Sequence, residues 1–463
     1  MKPVTFSLLV AVAFAFNVQA TILTVPGSFS TIQAAINASL HGDTIAVSPG
    51  TWHENINFRG KKVMVTSLYY LNSDTSYILS TIINGSTPVH PDTASCVIFN
   101  SGEDSTAILQ GFTITGGHGT KWLDIHGAGI YREGGGILIE LCSPTIRHNL
   151  ITHNFATDVT GVTSAGGGGI RIGDGNPGIY GNLISYNQGR YGAGIVLNYT
   201  GCKIRNNIII YNTGGQEYYG GSAIWIYNDL TTTPKIIENN TIEENYSALA
   251  AGTGGISAWS AGNVFIRNNI IRANHPAPQI KAVSCAPQVT YCDVEGGYTG
   301  AGNMDQDPVF TYLSYFLSNT SPCIDAGNPA TIYNDLTDPG NPWHALFPSK
   351  GLPRNDMGAY GGPNASLFPA FETITAVSET YPENRVSLFP NPFSVETTLK
   401  TETLIQNATL TIFDASGQEK TEMVNISGKE VKIQRNGLEP GVYFIRLVQD
   451  NKIIAIKPVI VAD

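Results

Sequence analysis

The residues with the greatest chemical potential in this sequence crowd one glycine-rich stretch. Between Gly117 and Glu133 stand Lys121, Asp124, His126, Arg132 and Glu133, with His148 and His153 one strand further on. Such a set could remove a proton from carbon beside a carboxylate. That reaction needs a base, which Lys121 or His126 could supply. It also needs a cation or guanidinium that neutralises the carboxylate and steadies the developing enolate. Asp124 could hold a metal for that second task, so Lys121, Asp124 and His126 are the candidate catalytic residues. A second set is spread along the chain: Arg147, Arg171, Arg205, Trp225 and Arg267. Guanidinium forks pair with uronate carboxylates and aromatic rings stack on sugar faces. These five are the candidate substrate-binding residues for a sugar polymer.

What positions them is a repeat, because I-x-x-N-x-I-x-x-N occurs five times, starting at Ile146, Ile179, Ile204, Ile237 and Ile266. The starts are 33, 25, 33 and 29 residues apart. Between copies lie a glycine-rich turn and a short strand such as Gly136–Ile139, Gly169–Ile172 or Gly194–Leu197. Units this short cannot bury an apolar face alone, whereas stacked coils can. Each strand then pairs with its counterpart one coil away, about 4.8 Å along the axis. Alternate Ile fill the interior. Asn suits the bends because it tolerates left-handed backbone angles, and it can form ladders from coil to coil. The pattern predicts an all-β chain whose centre is a right-handed parallel β-helix. Leucine-rich and helical repeats are excluded by the missing Leu framework and by the density of Gly and Asn. The uneven spacing places insertions in surface loops. Stacking also aligns outward columns: Arg147, Tyr180, Arg205, Glu238 and Arg267; Leu138, Arg171, Val196, Trp225 and Ser257; and His153, Tyr186, Tyr211, Glu244 and Ala273. Two readings stay open for them, a sugar-binding groove or a solvated face with aromatic ladders between coils.

Composition agrees with an exported β-protein. Gly numbers 50 of 463 residues, charged residues are 13%, and the net charge is −10, the reverse of the basic face expected of a nucleic-acid binder. Residues 1–20 read as a signal peptide, with Lys2, an apolar run from Ser7 to Phe16, and small residues at Val18 and Ala20 before Thr21. No other stretch is apolar enough to span a membrane once that segment is cleaved. Export permits disulfides, and of the six cysteines proximity alone favours Cys285 and Cys292 as a bonded pair, with the connectivity otherwise undetermined. Near the start, Ser30-Thr31-Ile32-Gln33 reads as a capping box opening a short helix, with Ile32, Ala35 and Ile36 on its apolar stripe. Such a helix would plug the open end of a solenoid core.

Thr31 to Ile36, then Gly42-Asp43-Thr44-Ile45-Ala46-Val47, then Pro49-Gly50-Thr51-Trp52-His53-Glu54 resemble the opening of the pectin-lyase-like superfamily of right-handed parallel β-helices. Trp52 departs from the Tyr more usual there. With the repeats, the resemblance covers roughly residues 22–300 and implies the fold. It does not fix an activity, since the superfamily hosts lyases, hydrolases, esterases, epimerases and non-catalytic proteins. Gly117-His118-Gly119 is similar to a fragment of the polygalacturonase signature, without the paired Asp and Arg-x-Lys elements that belong with it. Trp122 to His126 resembles a pectate-lyase motif with one residue inserted. The pectinesterase Asp pair and the epimerase Asp-Pro-x-His element are missing.

Residues 303–365 change character. Asn303 to Phe310, Ser321 to Gly327 and Arg354 to Tyr360 are similar to a segment that closes many secreted bacterial β-helices. Asp325, Asp335, Asp338 and Asp356 invite a calcium reading. The plainer reading is carboxylates that cap turns or pair with Arg354, since no EF-hand-like spacing is present. The sequence implies no definite cofactor, and calcium is the candidate. Residues 366–384 read as a linker. From Val386 onward about seven short strands suggest a small β-sandwich over 385–463. Pro390-Asn391-Pro392, Ile412 to Gly417, Gly441-Val442-Tyr443-Phe444 and Lys457 closely resemble the C-terminal sorting domain of type IX secretion substrates. That resemblance implies the type IX machinery as a partner, export across the outer membrane, and usually removal of this domain with attachment of the rest to surface lipopolysaccharide. The expectation for the β-helix, residues 21–302, is a cell-surface protein that binds a polysaccharide or other glycan. The alternatives are a polysaccharide lyase or glycoside hydrolase on an acidic polymer, and a structural adhesin.

Overall fold

The computed structural model of the chain describes residues 20–462 apart from 218–219, 228–231, 312–313, 368–385, 392, 415–418 and 450–451. The signal peptide and the linker expected over 366–384 fall almost wholly outside the described residues. Two compact units emerge: one of residues up to 308 with 321–369, the other of 309–320 with 370–463.

The first unit is a parallel β-helix. Each coil contributes a strand to three long parallel sheets in turn, as in Ile170–Gly173, Gly178–Tyr180 and Leu183–Ser185. These first, second and third faces hold eight, ten and nine strands. Register is set by the isoleucines. Ile137, Ile170, Ile195, Ile224 and Ile256 stack on the first face. Ile146, Ile179, Ile204, Ile237 and Ile266 stack on the second, and Ile151, Ile184, Ile209, Ile242 and Ile271 on the third. All of these are fully buried in one continuous core. At roughly 1.5–3 kcal/mol for each buried side chain, this stacking is the main source of stability.

The repeated asparagines form two buried ladders at the bends: Asn149, Asn182, Asn207, Asn240 and Asn269, and Asn154, Asn187, Asn212, Asn245 and Asn274. Asn207 is representative. Its Nδ2 donates to Asn240 Oδ1 at 3.0 Å, to Ile179 O at 2.9 Å and to Arg205 O at 2.9 Å, while its Oδ1 accepts from the backbone and side chain of Asn182. Left-handed backbone, which the sequence suggested for these asparagines, belongs to the residue before each of them: His148, Gly181, Asn206, Asn239 and Asn268 at one bend, and His153, Tyr186, Tyr211, Glu244 and Ala273 at the other. The ladder asparagine is chosen for its amide, which satisfies buried backbone groups.

The N-terminal helix is Ile32–Ala38, with Ile32, Ala35 and Ile36 buried against the first coils. Its cap is Thr31, one residue later than expected, and Glu54 takes the role assigned to Gln33 by accepting from the Ile32 and Gln33 amides at 2.9 Å each. All six cysteines are thiols, Cys285 and Cys292 included. Cys292 sits where the next ladder asparagine would fall, its Sγ accepting from the Asn269 amide at 3.5 Å.

The segment from 321 to 366 lies along the bend between the second and third faces. The first asparagine of each Asn-Asn pair turns outward to hold it. Asn206 Nδ2 donates to Ala359 O and Gly361 O, Asn239 Nδ2 to Asp356 O, and Asn268 Oδ1 accepts from the Asn328 amide. The aspartates that invited a calcium reading accept from turn amides: Asp325 from Leu352, Asp335 from Gly362, Asp338 from Gly340 and Asp356 from Lys350. Burial pushes the carboxyls of Asp335 and Asp356 well above the usual range, Asp335 further through the charge of Asp356 and Asp356 through that of Asp325. Both therefore hold a proton more tightly folded than unfolded. Their contribution to stability is complete below the ordinary aspartate range and is lost as pH rises through the raised folded values. Amides of 321–366, corrected for intrinsic chemistry, should exchange at least about tenfold faster near pH 8 than near pH 5, and Asp335→Asn should remove most of that difference. Equal protection at both pH values would contradict this account.

The second unit is a small antiparallel β-domain of the sandwich class. Its strands are Val386–Phe389, Glu396–Asp414, Glu419–Gln434, Gly441–Gln449 and Lys452–Val461. Leu399, Ile405, Leu410, Ile412, Ile445 and Leu447 are buried in its core. The seven short strands expected merge into five among the described residues, because register shifts around Ile405 and Ala408 let one long strand bend without ending. Of the turn expected over 414–417, residues 415–417 lie outside the described residues.

Candidate functional site

On the first face, residues two apart along a strand point outward together. Trp225 and Tyr227 do so on one strand, their rings stacked at 5.3 Å and 11°. Trp259, in register with Tyr227 on the next coil, meets it edge-on at 6.0 Å, and Tyr199 approaches from the coil before at 6.1 Å. Tyr191 packs on Trp225 at 4.8 Å. The opposite wall is an inserted hairpin, Gly119–Leu123 paired antiparallel with Ile130–Glu133. Strand alternation turns Trp122 and its partner Tyr131 toward the first face, while Lys121 and Arg132 point the other way. The cleft between hairpin and sheet is about 140 Å³ in volume, and Asp124 and Asn198 also line it.

Beneath the cleft lies a buried ion cluster. Arg171 is fully enclosed, with its guanidinium 3.8 Å from the Trp122 ring centre. Its Nε donates to Glu133 Oε2 at 3.1 Å, and Glu140 is its second carboxylate partner. Tyr191 OH donates to Glu133 Oε1 at 2.5 Å, and Trp122 Nε1 to Oε2 at 3.0 Å. Burial raises the Glu133 carboxyl above its ordinary value, opposed chiefly by the charge of Arg171, and burial lowers Arg171, opposed by Glu133. The cluster thus fixes Trp122 and Tyr191, one wall and part of the floor.

Polar acceptors remain at the cleft. Asp124 is 4% exposed. Its Oδ2 accepts from the Ala128 amide at 2.8 Å, and its buried Oδ1 has no hydrogen-bond partner among the described residues. Asn198 Oδ1 is likewise buried and unpartnered among the described residues. At the rim His126 packs against Tyr199 at 3.9 Å with the rings tilted by 31°. It bonds through Nε2 to Asp174 Oδ1 at 2.8 Å, leaving Asp174 Oδ2 without a partner among the described residues.

The sequence-derived candidates distribute unevenly over this frame. Asp124 and His126 reach the cleft and its rim. Lys121 does not join them: it pairs with Asp92 at 2.9 Å on the far side of the hairpin, so the three do not converge. Arg171 is a correction, because a guanidinium enclosed by Glu133, Glu140 and Trp122 cannot meet a substrate. Trp225, 4% exposed, forms floor rather than wall. Arg147, Arg205 and Arg267 belong to the second face, away from Arg171 and Trp225. Arg147 donates to Gln110 at 2.6 Å, Arg205 and Arg267 flank Glu238, and Arg267 donates to Tyr333 OH of the closing segment at 2.7 Å. The third outward column stacks at a bend, His153 on Tyr186 at 5.4 Å and Tyr186 on Tyr211 at 5.1 Å. The rings missed from sequence are Tyr131, Tyr191, Tyr199, Tyr227 and Trp259. Tyr227 and Trp259 stand two positions after Trp225 and Ser257 in the Gly-Ile-x-Ile strands, so reading both outward positions of that strand would have found them.

Comparison with known proteins bears on the C-terminal unit. Residues 387–462 match the secretion system C-terminal sorting domain. The chain therefore carries a type IX sorting domain and is a secreted or cell-surface protein. Among the described residues no helix is long and apolar enough to cross a membrane. No curated protein matches the sequence. Among solved structures, a pectin methylesterase in complex with a hexasaccharide is similar at 10% identity and a TM-score of 0.35, covering 67% of this chain and 99% of that one. A likeness that distant does not bear on the cleft.

Proposed function

We propose that the β-helix binds a glycan in the cleft between the Gly119–Glu133 hairpin and the first face. The observation that carries this reading is the meeting of partly exposed rings, Trp122, Tyr131, Tyr199, Tyr227 and Trp259, around buried acceptors that have no partner among the described residues. Rings offer apolar faces to the C–H side of a sugar, and a few fixed polar atoms orient its hydroxyls, the usual composition of a small-molecule site. Export through the C-terminal domain would bring the cleft to a compartment where glycans are the common solid phase.

The test is retention of the purified chain on immobilised glycans, with and without calcium. Trp259→Ala should weaken retention at least about tenfold, on the order of 1.4 kcal/mol or more, as for an aromatic anchor. Trp343→Ala, at an 81% exposed ring outside the cleft, should leave it unchanged. Equal retention of both variants and the parent would sink the proposal. New reducing ends or unsaturated uronate products, lost in His126→Ala, would replace binding by turnover.

A further inference from the structure

Resting on that reading, we infer that the cleft takes one neutral sugar ring, held through its hydroxyl hydrogens, and rejects uronates. Charge argues first. Glu133, Glu140 and Asp124 stand in or under the cleft, and Asp174 at its rim, around a single guanidinium. Arg171 is committed to Glu133 and Glu140, and its one unpartnered nitrogen, Nη2, is buried with the rest of the side chain beneath Trp122. An entering carboxylate would meet Asp124 with no accessible fork to neutralise it, and like charges at short range in a partly dry site repel strongly.

The unpartnered atoms argue second. Asp124 Oδ1, Asn198 Oδ1 and Asp174 Oδ2 are all acceptors. Carboxylate and amide oxygens are acceptors, so the ligand brings donors, and sugar hydroxyls do so without bringing charge. A buried acceptor left without a donor is costly, and its partner is expected in the ligand or in ordered water. Size argues third. A volume near 140 Å³ is well under the roughly 300–1,000 Å³ of sites for drug-sized ligands, so the cleft holds one ring of a chain and not a run of them.

Asp124→Asn gives a sharp test because the Ala128 amide selects the side chain's orientation. That amide requires an oxygen, as it has in Asp124 Oδ2. The asparagine oxygen therefore turns to Ala128 and its NH2 faces the cleft, replacing an acceptor by a donor and removing a charge. The experiment measures binding of the full chain, its Asp124→Asn variant and Trp259→Ala to neutral glucan, mannan, xylan and galactan, to polygalacturonate and alginate, and to an amino-sugar polymer, at low and high salt. Thermal melting establishes that each variant folds. The expected result is parent binding to a neutral polymer that salt leaves unchanged and that the matching monosaccharide competes. Asp124→Asn should bind that polymer at least about tenfold more weakly and gain measurable binding to a uronate polymer. Parent binding to uronates or amino sugars alone, still abolished by Trp259→Ala, would overturn this inference and leave the glycan site standing. No binding to any polymer would overturn both. Should Asp124→Asn fail to fold, the parent's choice between neutral and charged polymers decides the matter.

Discussion

Replacing Arg171 with leucine should destabilise the β-helix by about 3–5 kcal/mol, the usual cost of removing one partner from a buried ion pair. Arg171 is the largest side chain that is fully buried, and its loss strands Glu133 and Glu140 in a site closed to water. The effect carries a pH signature. Burial already raises the Glu133 carboxyl, and Arg171 is the main influence holding it down. In the variant that carboxyl binds its proton tighter still when folded than when unfolded. Its contribution is then complete below the ordinary glutamate range and drains away as pH rises through the folded value. Destabilisation should therefore be greater near pH 8 than near pH 5. Urea unfolding followed by tryptophan emission checks this, since Trp122 lies against the guanidinium. A midpoint within about 0.5 kcal/mol of the parent would show that the cluster is not the support for the cleft described above.

Asn207→Ala should cost on the order of 3 kcal/mol or more. The truncated side chain leaves the buried Asn182 amide without its acceptor and takes a donor from Ile179 O. It also removes one of two donors from Arg205 O and Asn240 Oδ1, which keep the Gly181 and Asn207 amides. A buried group left without a partner costs about 1–3 kcal/mol. Its neighbour provides the contrast. Asn206→Ala loses bonds to Ala359 O and Gly361 O and should loosen the closing segment while leaving the coils stacked. Two adjacent asparagines thus separate into different phenotypes, one global and one confined to 321–366. Equal unfolding midpoints for the two variants would contradict the division of labour.

The coil framework was legible because the sequence states it five times. A position that repeats as Ile or Asn while its neighbours vary is under a constraint that recurs in every coil, and burial and ladder formation are such constraints. The cleft was not legible in the same way, since it is built where the coils differ. Arg171 looked like a substrate fork because the column through Leu138, Val196 and Trp225 faces outward. What turns it into a buried positioning residue is the hairpin folded over that column, with Glu133 38 positions away in sequence. Lys121 and Asp124 lie close in sequence yet on opposite sides of the hairpin, which spacing within a glycine-rich loop could not reveal. The second-face arginines were correctly placed in one column, but the column's cover by Tyr333 depends on a closing segment that carries no repeat.

The central claim is that the ring-lined cleft on the first face is where a glycan sits. A crystal structure of the chain with the best-retained glycan tests it most directly. The account predicts one sugar ring between Trp122 and Trp259, with hydroxyls within hydrogen-bond reach of Asp124 Oδ1 and Asn198 Oδ1. A glycan lying along Arg147, Arg205 and Arg267 on the second face, with the cleft empty, would contradict it.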